Sequence, residues 1–322
     1  MNTPRRIALI GAGHICWDVY LEDLARRPEV ALAAVVARSP DTLQRVRAKY
    51  VIGEQLHSVE ELLAFGDFDQ ALVLTPPEAH HQQVTALLRA GHDVLCEKPV
   101  APTLSEVRDL EEVQRETGRV LLFAFNRRYC PVYLRAKAAF EGRRLDVCLV
   151  QKNKEAPQRR ALLNDAIHVV DALRWFCGGE VEDVQARALS DDPYHETTVT
   201  ASVRFSSGAL GVFVMSRTAG QWHERLEAHG SQQTAFVDYP ESVRVVGEET
   251  RAWQATPAGW GVVSAAARLG FSAVIDHFFD CVDAGAPPLT SIQEARRTHE
   301  LVDAIYRAAG LPGLAAEEAG GP

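Results

Sequence analysis

The chain has 322 residues, 47% hydrophobic and 24% charged, with 34 Lys and Arg against 43 Asp and Glu. That length predicts two domains at about 150 residues each, and the net charge of −9 disfavours a general nucleic-acid or anionic-membrane binder. The longest apolar run, Val30 to Ala37, is eight residues, against the roughly 20 a membrane-spanning helix needs.

Met1 to Arg6 leads into a strand-like segment without a signal-peptide apolar region, and six scattered cysteines lack a C-x-x-C pair, so a cytoplasmic protein without zinc or disulfides is expected. Arg6 to Ile10 reads as a first strand, followed by a glycine turn and an amphipathic stretch through Arg27. Val30 to Ala37 is a second strand and Pro40 to Lys49 a helix. Gln70 to Leu74 precedes a Pro-Pro turn and a helix from Glu78 to Ala90. Asp93 to Cys96 and Val120 to Phe125 are strands separated by a helix from Thr103 to Thr117, which Gly118 ends. Apolar strands that alternate with helices predict a doubly wound parallel sheet. Beyond residue 126 the pattern changes. Thr198 to Phe205 alternates, Ser206-Ser207-Gly208 turns, and Ala209 to Ser216 returns. Further strand-like pieces lie near 145–152, 181–189, 223–229, 234–238 and 242–246. They predict a large, mostly antiparallel open sheet whose free face suits a subunit contact. Ala273 to Ala284 and Ser291 to Ala309 read as helices, the last able to pack back on the first domain. The expected division is 1–126, 127–314 and a frayed tail over 315–322.

Gly11-Ala12-Gly13-His14-Ile15-Cys16 follows the first strand and opens a helix. Two glycines there suit a tight turn and close approach of a pyrophosphate, whose charge the helix N-terminus favours. Position Cys16 governs only helix–strand packing. The ribose selector is expected at the end of the second strand, where Arg38-Ser39 stands in place of an acid. An arginine suits a 2′-phosphate, which favours NADP over NAD.

Thr75-Pro76-Pro77-Glu78-Ala79-His80, then Glu97-Lys98-Pro99, and Asn126-Arg127-Arg128-Tyr129 with Pro131 together resemble the Gfo/Idh/MocA family of nicotinamide-dependent oxidoreductases, in its virulence-factor-like branch. The resemblance covers essentially the whole chain. It implies a Rossmann domain followed by an α/β domain with an open sheet, associating as a homodimer or homotetramer. It also implies that Lys98 stands between nicotinamide ribose and substrate, beside a Pro99 that is often preceded by a cis bond. Thr75, Pro76, His80, Glu97 and Lys98 then join Gly11, Gly13, His14, Ile15, Arg38 and Ser39 as cofactor-binding candidates.

Leu163 to Trp175 reads as a helix ended by Gly178-Gly179, with Asn164, His168, Asp171 and Trp175 on one face and Asp165 three residues before His168. A histidine flanked by carboxylates is a general-base candidate, and His168 matches the family's proposed catalytic histidine. Members often carry Asp four residues earlier, where this chain has Asn164. Asp165 or Asp171 is then the expected substitute, with Lys98, His168 and Asp165 as the catalytic set. A metal centre is not expected.

From Arg119 to Arg160 there are 11 basic and 3 acidic residues. Arg127 and Arg128 are expected at the rim of the site, and Lys152, Lys154, Arg159 and Arg160 in a loop leading to the His168 helix. The substrate-binding candidates are Lys98, Asn126, Arg127, Lys152, Asn164 and His168, and the surplus charge suggests an anionic substrate. The expected activity is hydride transfer between NAD(P) and a secondary alcohol or ketone of a sugar, cyclitol or related polyhydroxylated compound. The alternative is a cofactor-binding metabolite sensor or regulator of the same fold, without turnover.

Overall fold

The computed structural model describes residues 3–156, 158–254 and 263–314. The expected tail, 315–322, lies outside them. No helix of the described residues is long and apolar enough to cross a membrane. The chain forms two compact units, one from Met1–Ala124, Ser264–Ala267 and Phe271–Arg296, the other from Phe125–Val263, Arg268–Gly270 and Arg297–Pro322.

In the first unit β1 (Arg5–Ile10), β2 (Val30–Val36), β3 (Glu54–Leu56), β4 (Gln70–Val73), β5 (Asp93–Cys96) and β6 (Leu121–Phe123) pair in parallel, in the order β3-β2-β1-β4-β5-β6. Ile7, Ala8, Leu9, Ala71, Leu72, Val94 and Leu95 are completely buried, as strands covered on both faces require. The helices are α1 (Leu21–Ala25), α2 (Pro40–Lys49), α3 (Val59–Phe65), α4 (His80–Arg89) and α5 (Leu104–Thr117). Local chemistry sets their ends. Ser39 caps α2 ahead of Pro40, and Thr103 and Glu106 form a reciprocal capping box on α5, which Gly118 closes in the left-handed region. The strand order reverses between β1 and β4, and ligands of open α/β sheets bind beyond the carboxyl ends of strands at such a point. The sequence reading missed β3 and α3, an edge strand of three residues and a helix of seven, both too short to show a period.

The second unit holds an eight-stranded sheet in the order β14-β13-β12-β11-β7-β10-β9-β8. The strands are β7 (Val147–Glu155), β8 (Val181–Ser190), β9 (Glu196–Phe205), β10 (Leu210–Ser216), β11 (Thr218–Gly230), β12 (Gln233–Asp238), β13 (Ser242–Val246) and β14 (Thr250–Gln254). Only β10 and β7 run parallel; the other pairs are antiparallel. Helices α6 (Pro131–Ala138) and α7 (Ile167–Cys177) pack on one face, where a Cβ on Gly211 would meet the Leu173 side chain. Three further helices, α8 (Ala265–Leu269), α9 (Phe271–Ala284) and α10 (Ile292–Ala308), complete the described chain. Strand β7 continues to Glu155, so Lys152 and Lys154 belong to it and not to a loop. Two residues apart, they share one face of the sheet.

Candidate active site

In the first unit the candidate cofactor residues cluster beyond β1, β4 and β5. Gly11 takes φ +94°, and a Cβ there would stand 2.9 Å from the Leu74 carbonyl. No residue with a side chain fits that turn without strain. Gly13 is the opposite case, since a Cβ there would meet no atom within 4 Å. The space in front of its backbone is open, as a pyrophosphate cradle requires. The turn feeds a helical segment whose first described bond runs from Trp17 N–H to the Gly13 carbonyl at 3.2 Å. A π-helical turn, Cys16–Tyr20, leads into α1. Cys16 is completely buried, and burial pushes its thiol up to about 12, as suits a packing residue.

Lys98 is half-buried among the buried Glu97, Pro99 and Val100, at the carboxyl end of β5, and the Lys98–Pro99 peptide is cis. The Glu97 carboxylate accepts from Tyr20 Oη at 2.8 Å and from Lys98 N–H at 3.1 Å. His80 presents no surface to a ligand. Its Nδ1 lies 2.8 Å from the Pro99 carbonyl and its Nε2 2.8 Å from the Thr75 carbonyl, so it ties the Thr75 loop to the Lys98 loop from behind. Burial pulls its pKa below the ordinary histidine value, against those carbonyls. Arg38 is exposed, with no carboxylate within ion-pair distance among the described residues, and Ser39 Oγ accepts from Thr42 N–H as the cap of α2.

In the second unit α7 is preceded by a π-helical turn, Leu162–Ala166. Such i→i+5 turns often mark functional sites. Asn164 lies in that turn and His168 just after it, and Asn164 Nδ2 donates to the Arg159 carbonyl at 2.9 Å. Leu162 N–H donates to Glu196 Oε1 and Leu163 N–H to Tyr306 Oη, which itself donates to Glu196 Oε1 at 2.6 Å. The start of the helix is thereby held. His168 is 6% exposed, its ring edge-on to Phe125 at 6.5 Å.

Two expectations are corrected here. Asp171 is not a partner awaiting His168: both its oxygens accept from Arg128 at 2.8 Å, and Thr298 donates to one of them. Arg128 and Arg127 do not form an exposed rim, at 2% and 6% exposure. Arg127 grips Glu224 with two bonds, of 2.8 and 2.7 Å, donates to Asn126 Oδ1 and stacks over Tyr239 at 4.2 Å. Asn126 is completely buried, donating to the Leu269 carbonyl. Both residues are therefore buried and engaged within the second unit.

The charge that remains collects at one level of the sheet. Along β10, β7 and β11 the buried apolar stripe gives way to a charged residue: Arg217, just past the end of β10, follows Phe213 and Met215, Lys152 follows Cys148 and Val150, and Glu224 precedes Leu226 and Ala228. Lys152 and Glu224 are register partners. Lys152 Nζ lies 3.1 Å from Asp165 Oδ1 and 3.5 Å from Glu224 Oε2. Arg217 Nη1 donates to Asp165 Oδ2 at 2.5 Å, and Lys154 Nζ lies 3.3 Å from the same oxygen. Burial pulls the Lys152 ammonium below its ordinary value, Glu224 opposing and Arg127 adding to the fall. The sequence reading did not single out Arg217 or Glu224. Their signal was a charge at an inward position of an alternating strand.

Residues 5–125 match the oxidoreductase-family, NAD-binding Rossmann-fold model of Gfo/Idh/MocA proteins, and residues 135–236 match that family's C-terminal domain model. The chain belongs to the Gfo/Idh/MocA family. The myo-inositol 2-dehydrogenase of Thermotoga maritima is 29% identical over 259 residues, 75% of this chain and 77% of that protein. A levoglucosan dehydrogenase solved with NADH and levoglucosan shares the fold at a TM-score of 0.84 and 20% identity, over 96% of this chain and 98% of that one. A 3-ketoreductase from Actinomadura kijaniata, solved with NADP and TDP-benzene, does so at 0.80 and 22%, over 95% and 98%. As a Gfo/Idh/MocA protein the chain is an oxidoreductase with a nicotinamide-binding Rossmann domain, and the strained Gly11 turn with open space at Gly13 fits that cofactor.

Proposed function

We propose that the protein transfers hydride between NADP and a secondary alcohol or ketone of a sugar, cyclitol or related polyhydroxylated substrate. The observation that carries this reading is the match to both domains of one oxidoreductase family, in a chain that keeps Lys98 and His168. Similarity to a myo-inositol dehydrogenase supports the substrate class. Gly11, Gly13, His14 and Ile15 hold the pyrophosphate, with Thr75, Pro76 and Glu97 completing the cradle. His80 braces it. The bound nicotinamide supplies or accepts the hydride. Lys98 stabilises the substrate oxygen as negative charge develops on it. A ring nitrogen of His168 takes the hydroxyl proton in oxidation and returns it in reduction, and Asp165, anchored by Lys152, Lys154 and Arg217, orients that helix. The cofactor belongs to residues 1–126 and the substrate to 127–314.

The unpaired Arg38 supports NADP over NAD, through a charge-assisted bond to a 2′-phosphate. The sheet face turned away from α7 carries Leu149, Val212, Val214 and Phe236 half-buried and Leu210 half-exposed, and this supports a homodimer or homotetramer through that face. Six free, buried cysteines support a cytoplasmic setting. Nicotinamide absorbance followed with a panel of polyols and keto-sugars tests the activity. Turnover of at least one member is expected; tight cofactor binding with no turnover across the panel would make the protein a sensor. Tighter NADH than NADPH binding would overturn the cofactor preference.

A further inference from the structure

The fold neutralises much of the basic segment but not the part around Asp165. Four cations, Arg127, Lys152, Lys154 and Arg217, share two carboxylates, Glu224 and Asp165. Arg127 occupies both oxygens of Glu224, and Lys152 and Arg217 take one oxygen each of Asp165. Both carboxylates are thus engaged before Lys154 is counted. Counted over these six residues, all among the described ones, the formal surplus is two positive charges. The side chains of Arg127, Lys152 and Arg217 are only 8%, 5% and 1% exposed. Unbalanced charge in such a place is costly unless an anion completes it. The fall of the Lys152 pKa under burial and Arg127 repulsion fits the same imbalance.

Lys154 differs from the other three in one respect. Its side chain is 27% exposed, so its ammonium is within reach of a ligand. The backbone opens at the same place. Strand β11 pairs with Asn153 through His223 and with Glu155 through Thr218, so the residues between, 219–222, leave the ladder opposite Lys154. Trp222, in that bulge, is 47% exposed and lies 6.1 Å from the Tyr239 ring. The partly exposed Lys154 and the exposed Trp222 thus belong to the same stretch, where β11 parts from β7.

We propose that Lys154, backed by Lys152, Arg217 and Asp165, is a subsite for a carboxylate or phosphate group on the substrate. The inference rests on the oxidoreductase reading above and narrows its substrate class to anionic polyhydroxylated compounds, such as uronates or sugar phosphates. Lys154 is a binding and specificity residue in this account.

The test uses the full chain saturated with NADP, so that the pyrophosphate cradle is filled, and inorganic phosphate as probe, titrated by calorimetry. Wild type is expected to bind phosphate, Lys154→Gln to weaken it at least about tenfold, and Lys154→Arg to retain most of it. Thermal unfolding of both variants reports whether they fold. In hydride transfer, a uronate is expected to be preferred over its neutral aldose, a preference that falls in Lys154→Gln and as salt is raised. No phosphate binding by wild type, or equal binding by Lys154→Gln, would overturn the proposal. So would turnover of neutral polyols with a preference that Lys154→Gln leaves in place, although the oxidoreductase reading would then stand. Phosphate binding that requires Lys154, with no turnover of any polyol, would do the reverse.

Discussion

At the carboxyl ends of β1, β4 and β5 the candidate cofactor residues come in short consecutive runs, Gly11 to Ile15, Thr75-Pro76 and Glu97 to Pro99, whose defining feature is backbone shape. At the charged level of the eight-stranded sheet, Lys152 on β7, Asp165 in the turn before α7, Glu224 on β11 and Arg217 between β10 and β11 come from separate parts of the chain, and their defining feature is side-chain charge. The two constructions should fail differently. A backbone cradle tolerates changes of side chain except where a glycine is required. A shared network with more cations than carboxylates leaves uncompensated buried charge when one of its carboxylates is removed.

The largest effect is expected in the second unit. His168→Ala should lower turnover about 10²- to 10⁴-fold while the dissociation constant for NADP stays near wild type; unchanged turnover would remove His168 from the chemistry. Glu224→Gln comes next. It strips the partner from the buried Arg127 and from Lys152, at an expected cost of about 3–5 kcal/mol in denaturant unfolding. A cost below about 1 kcal/mol, the range of exposed pairs, would show that the network does not hold this end of the sheet.

The same carboxylate predicts a pH dependence. Burial pushes the Glu224 carboxyl upward, but Arg127 and Lys152 outweigh it and hold it below the ordinary glutamate value. A folded-state pKa below the unfolded one stabilises the protein above the unfolded value of roughly 4.3. That contribution is lost as pH falls through the lower folded value. Unfolding free energy measured from neutral to acidic pH should decline more steeply in wild type than in Glu224→Gln; identical slopes would contradict the assignment. The smallest effect belongs to the cradle. Gly11→Ala must adopt φ +94° and press on Leu74, which should cost about 1–3 kcal/mol of stability and weaken cofactor binding. A neutral result would mean that the turn relaxes at little cost.

What the sequence revealed follows the same division. The order of strands and helices, the glycine turn, Lys98 and the His168 helix were legible because each is a local pattern of period, cap or motif. The destinations of Asp171, Arg127 and Arg128 were not, since each finds its partner across the fold: Arg128 lies 43 positions from Asp171, and Arg127 lies 97 from Glu224. The 3.6-residue period shows that Asp171 lies near His168 on the helix, but nothing in it shows that an arginine from another element arrives first. Lys152 and Lys154 passed for loop residues because two lysines interrupt an otherwise apolar alternation. Arg217 and Glu224 escaped attention for the same reason. In each case the exception to the pattern was the residue of interest.

The central claim is hydride transfer, and the most direct measurement is the fate of an isotopic label. The purified chain, given NADPH deuterated at C4 of the nicotinamide and a panel of keto-sugars including uronates, should place one deuterium on the new carbinol carbon of a reduced product, at a rate His168→Ala strongly reduces. Deuterium that stays on a bound nicotinamide across the whole panel, in a protein that binds the cofactor tightly, would contradict it.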